Sequence, residues 1–139
     1  MAQLTNADGN AVEGFLDDSA SAGAPAVIVI HEWWGLNEQV RGVAKRLASE
    51  GFLAFAADLF HGKVAKDATE AAAMMQALDG KRAMADLHEA VQALLPRSGA
   101  RVGVLGFCMG GAYALATAAA NPEVKAAVAY YGIPSPALA

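Results

Sequence analysis

One cysteine and its neighbours carry the clearest chemistry in this chain. Gly106-Phe107-Cys108-Met109-Gly110 follows an apolar run, Arg101 to Leu105, and precedes a run of small residues, Gly111 to Ala120. The spacing predicts strand, sharp turn and helix with a nucleophile at the apex. It is the G-x-S-x-G nucleophile elbow with sulfur in place of oxygen. Such an apex residue is held in a strained backbone conformation, with a positive or otherwise strained φ, that lifts its side chain clear of the sheet. Glycines two residues to either side let strand and helix pass without a Cβ clash. The helix that follows aims its free N–H groups and positive dipole end at the sulfur, which favours thiolate over thiol. The Met109 N–H is then ready to donate to an oxyanion. The competing reading is a small hydrophobe buried in a Gly-rich junction, since free cysteine is among the most buried residue types.

These groups need a scaffold, and the hydropathy pattern supplies one. Residues 11–17 read as a short strand. Ala26 to Ile30 is a continuous apolar run, as in a strand buried on both faces. Val40, Val43, Ala44 and Leu47 recur at helical spacing, predicting a helix over 37–50 that ends at Gly51. A strand follows at 52–57, then helices at 68–78 and 81–95, a strand at 101–105, a helix at 109–120 and a strand at 124–130. Alternating strands and helices imply an α/β fold with a mostly parallel, doubly wound sheet. In such sheets the functional site forms at the carboxyl ends of the strands. His31-Glu32-Trp33-Trp34-Gly35, Asp58-Leu59-Phe60-His61-Gly62 and the elbow all fall there.

Composition narrows the function classes. The 139 residues suffice for one compact domain, and 55% hydrophobic with 17% charged residues is a core-forming balance. A net charge of −4 without a basic run leaves no electrostatic footprint for nucleic acid. No stretch reaches the ~18 uninterrupted apolar residues of a membrane span. The first residues carry neither the basic nor the apolar region of a signal peptide. A single cysteine makes no internal disulfide, which fits a cytoplasmic location. No metal site and no cofactor are expected.

Four blocks together carry a family resemblance: Ile30-His31-Glu32-Trp33-Trp34-Gly35-Leu36, Ala57-Asp58-Leu59-Phe60, Gly106-Phe107-Cys108-Met109-Gly110-Gly111 and Tyr130-Tyr131-Gly132. In order and spacing they resemble the dienelactone hydrolases, a cysteine branch of the α/β-hydrolases. The resemblance runs over essentially the whole chain and over the N-terminal portion of the family's domain. It implies an ester or lactone hydrolase with Cys108 as nucleophile. It implies that Glu32 is the carboxylate that contacts the resting cysteine and helps deprotonate it when substrate arrives. Physically, a carboxylate beside a thiol repels the thiolate and keeps the sulfur protonated until the carboxylate moves or takes the proton. The resemblance assigns the oxyanion hole to the backbone N–H groups of Trp33 and Met109. Trp34, Phe60 and Tyr131 are candidate pocket residues for a small ester or lactone.

The resemblance also implies a gap. The α/β-hydrolase order is nucleophile, acid, histidine, yet His31, His61 and His88 all precede Cys108. His31 reads as a ring packed under the loop with its N–H satisfied, His61 as a solvated loop residue, and His88 as a helix residue remote from the strand ends. Asp58 comes before the nucleophile and reads as the cap of its own turn. One of the family's basic residues would fall close to Ala68, which cannot hold a carboxylate. The expectation is therefore a single partial α/β-hydrolase domain over 1–139. It would lack the C-terminal strands that carry acid and base in a fold commonly of more than ~200 residues. Its last strand would be an apolar edge, covered by another copy or by the missing segment. Two other functions compete: a non-catalytic binding or assembly module with an inherited elbow, and a redox-sensing single cysteine.

Overall fold

A computed structural model describes residues 3–132. The strands are β1 (Gly14–Asp17), β2 (Ala26–Ile30), β3 (Leu53–Ala57), β4 (Val102–Phe107) and β5 (Val124–Tyr130). The helices are α1 (Glu38–Ser49), α2 (Ala68–Ala77), α3 (Gly80–Leu94) and α4 (Met109–Ala120). The sheet order is β1-β3-β2-β4-β5. β1 pairs antiparallel with β3, and the other three pairings are parallel. The expected mostly parallel α/β sheet is present. β2, β3 and β4 are its interior strands; β2 and β3 are apolar at every position, and all of β3 is buried.

Helices cover both faces. α1 packs on one through Val40, Ala44 and Ala48, against Val29, Ala54 and Ala56. α3 and α4 cover the other, with Leu87, Val91, Leu94 and Ala114 fully buried against Ile28, Ile30, Phe55 and Val104. Each of the first three helices starts on a polar side chain that accepts an orphan N–H. Asn37 caps Val40 at 3.1 Å, Asp67 caps Glu70 at 2.8 Å and Asp79 caps Lys81 at 3.0 Å. Among the described residues no helix is long and apolar enough to cross a membrane.

Two boundaries differ from expectation. The first strand covers only Gly14–Asp17, because Ala11 bridges Thr5 and the Val12 N–H donates to the Leu4 carbonyl at 2.8 Å, closing a small N-terminal turn instead. β4 runs on through Gly106 and Phe107, which keep register with Ala129 and Tyr130. The elbow's first glycine thus belongs to the ladder and not to the turn.

Candidate active site

Register alone assembles the site. Ile30 lies level with Ala57 on one side and with Gly106 on the other, and Phe107 with Tyr130. The next residue along each of these strands lines one carboxyl edge. Read across the sheet these are Asp58, His31, Cys108 and Tyr131. Cys108 has φ 56° and ψ −119°, the strained left-handed geometry expected of the apex, and α4 begins at the next residue. Its side chain is half-exposed, so it is not the buried hydrophobe of the competing reading. The Cys108 N–H donates to the Tyr130 carbonyl at 3.0 Å, and its own carbonyl accepts from Gly111 at 2.9 Å. The Met109 N–H, first in α4, makes no such bond among the described residues.

Bare backbone makes the crossing close. A Cβ on Gly106 would collide with the Gly110 carbonyl. A Cβ on Gly110 would strike the carbonyls of Ile30 and His31. The second contact seats the start of the His31–Glu32–Trp33 loop against the first turn of α4. The Trp33 and Trp34 rings meet edge to face, with centroids 5.5 Å apart, and the Trp34 carbonyl accepts from Ala65 at 2.9 Å.

The Glu32 carboxylate has a partner other than sulfur. Its Oε2 accepts a 2.6 Å hydrogen bond from the Tyr131 hydroxyl, and among the described residues no hydrogen bond joins it to Cys108. Tyr131 sits in a left-handed conformation, φ 43°, just past β5. Its phenol is held above the ordinary tyrosine range, first by the hydrogen bond to Glu32, then by lost hydration, then by the charges of Glu32 and Cys108. Tyr131 therefore lies within electrostatic reach of both groups. Of the other pocket candidates, Phe60 is buried with its ring 4.9 Å from that of His31. Phe60 also lines a neighbouring cleft of about 320 Å³, together with Lys63, Met74, Leu78 and Arg82, which does not include Cys108.

Each histidine lies beside a close polar partner. His31 is fully buried, and its Nε2 accepts from the Leu59 N–H at 3.0 Å while Nδ1 donates to the Glu32 carbonyl at 2.7 Å. These two bonds fix the neutral Nδ1–H tautomer, and burial holds the ring's pKa below 6.5. His31 is thus a brace for the loop, as expected. Asp58 caps its turn through Phe60 and Gly62, at 3.1 and 2.8 Å. His88 meets buried Asn121 at the far end of α4, 2.5 Å away. Twelve helical residues put that end ~18 Å from the elbow. His61 corrects its expectation. It is no solvated loop residue but lies between two carboxylates, 3.0 Å from Glu13 and 3.0 Å from Asp86. Burial pushes the Asp86 carboxyl up, against the pull of His61 and Arg82. The sequence hides this cluster because its three members sit on separate segments. Among the described residues no group of three or more His, Cys, Asp or Glu side chains is placed to hold a metal ion.

Comparison with known proteins bears on the family and the fold. The model of the dienelactone hydrolase family matches residues 12–139. An Aquifex aeolicus protein named "Putative carboxymethylenebutenolidase" is 35% identical over 150 aligned residues, covering 96% of this chain and 63% of that protein. A solved structure from Klebsiella pneumoniae, named a "Putative Dienelactone Hydrolase", superposes with TM-score 0.78 at 30% identity, over 94% of this chain and 58% of that one. A dienelactone hydrolase-like promiscuous phosphotriesterase from metagenomic libraries gives TM-score 0.75 at 30% identity, over 97% and 60%. The chain spans less than two thirds of the length of each.

Proposed function

We propose, from the premise that this chain belongs to the dienelactone hydrolase family, that Cys108 is the nucleophile of an ester- or lactone-cleaving site. The observation that carries this reading is the half-exposed thiol at φ 56° on the N-terminus of α4. The thiol gives its proton to Glu32 or to water, and the thiolate attacks the carbonyl carbon. The oxyanion so formed takes the N–H groups of Met109 and Trp33. Collapse breaks the C–O bond, returns the proton to the leaving alkoxide and leaves a thioester on Cys108. Trp34 and Tyr131 flank the entering group. A small ester or lactone is the substrate class, in keeping with the names of the relatives.

The second half-reaction needs a base to activate water, and none of the three histidines is free to serve. His31 spends both nitrogens on backbone, His61 lies between carboxylates, and His88 is at the wrong end of α4. The residues present therefore support acylation better than turnover. Oxyanion hole and binding alone are worth ~10³-fold over water. With a chromogenic short-chain ester in excess, the chain should release close to one equivalent of chromophore in a burst and then continue slowly. Cys108→Ala should abolish the burst. Fast continued turnover lost in Cys108→Ala would contradict the incomplete base, and an unchanged burst in that variant would contradict the nucleophile.

A further inference from the structure

Just past β5, Gly132 passes close over the elbow. A Cβ on Gly132 would lie 2.8 Å from the Ala112 nitrogen, the Cys108 carbonyl oxygen and the Gly111 carbonyl carbon, so only glycine passes there. The turn puts Tyr131 at φ 43° beside a cysteine at φ 56°, two strained residues on neighbouring strand ends. The consequence is a 2.6 Å bond between residues 99 positions apart, while 69% of Tyr131 stays exposed. A tyrosine this open gains little packing from the position. What it does gain is the Glu32 carboxylate.

We propose that Tyr131 is a positioning residue for the thiol: its hydroxyl holds the Glu32 carboxylate off the Cys108 sulfur, so that Glu32 and Tyr131 act on the thiol as one unit. This rests on the reading of Glu32 and Cys108 given above. A carboxylate oxygen that accepts the phenol's proton has less charge and less acceptor capacity left for the S–H. Without the hydroxyl, Glu32 is free to accept the S–H directly and to face the sulfur with its full charge, and both effects hold the proton on sulfur. The other ionisable groups at this edge, His31 and Asp58, are bonded to backbone. His31 is buried and neutral, and Asp58 is committed to its turn.

The test is the rate of alkylation of Cys108 by iodoacetamide between pH 5 and 10, unambiguous in a chain with one cysteine. It is measured for the unaltered chain, Tyr131→Phe, Glu32→Gln and the double variant. Tyr131→Phe should move the midpoint of the pH–rate profile up by about half a unit, an alkylation about 3-fold slower below the midpoint. Glu32→Gln should move it down, and adding Tyr131→Phe to Glu32→Gln should change nothing further. Identical profiles for Tyr131→Phe and the unaltered chain overturn the proposal. So does an equal shift in both backgrounds, which makes Tyr131 independent of Glu32, or a Glu32→Gln profile that does not move. Alkylation needs only the thiol, so the coupled shift in a chain that takes no acyl group from an ester would contradict the hydrolase reading and leave the role of Tyr131 standing.

Discussion

His31 shows how a reactive residue type is taken out of the chemistry by its surroundings. Both ring nitrogens face backbone in a site without water contact, and burial keeps the ring neutral. The consequence is a pH dependence of stability whose sign is fixed. The folded-state pKa lies below the unfolded value near 6.5, so below that pH the unfolded chain binds more protons than the native one. Stability contributed by the neutral ring is complete above about pH 7.5 and is lost as pH falls through 6.5 toward the folded value. Thermal unfolding from pH 8 to pH 5 should show Tm falling below pH 6.5. His31→Gln should be less stable at pH 8 yet show a shallower fall. At this scale the apolar runs put Cys108 and His31 at predictable strand ends, while the role expected of Glu32 came from the family resemblance alone. It placed Tyr131 in the pocket without seeing its bond to Glu32, because a contact across 99 residues depends on β5 lying beside β4. His61 was misread for the same reason, since Glu13 and Asp86 come from before β1 and from α3.

The elements were legible where one physical signal dominated. α4 and β5 have the bounds expected for them, 109–120 and 124–130. β1 and the end of β4 were not, because their limits are set by pairing partners. α4 meets the β2–α1 loop in a close joint made through Gly110. Gly110→Ala drives a methyl group into two backbone carbonyls that cannot swing aside. It should cost about 3 kcal/mol, the upper part of the overpacking range, seen as a lower urea midpoint at unchanged slope. At the other end of α4, Asn121 is 1% exposed and donates to the Thr117 carbonyl at 2.8 Å while accepting from His88. Asn121→Ala removes both bonds and should cost about 1–3 kcal/mol in the same assay. Because this end is remote from the elbow, the alkylation profile of Cys108 should not change in that variant.

On the scale of the whole molecule, the covering of the sheet is uneven. α1 lies over β1, β2 and β3. Beyond it Phe107 stacks on Tyr130 at 5.0 Å, and Val128 and Tyr130, on the edge strand β5, are each 47% exposed. An exposed apolar edge strand is a template for association. Val128→Lys should raise the concentration at which the chain self-associates in sedimentation velocity, with stability changed by no more than about 0.5 kcal/mol. Unchanged association would move the sticky surface elsewhere.

The central claim is covalent and local: an ester leaves its acyl group on one sulfur. Intact-mass measurement after mixing the chain with excess p-nitrophenyl acetate tests it most directly. The account predicts a gain of one acetyl group per chain, mapped by peptide digestion to Cys108, persisting for minutes and absent in Cys108→Ala. A chain that stays unmodified while its thiol remains alkylatable, or an acetyl group carried equally by the Cys108→Ala variant, would contradict it.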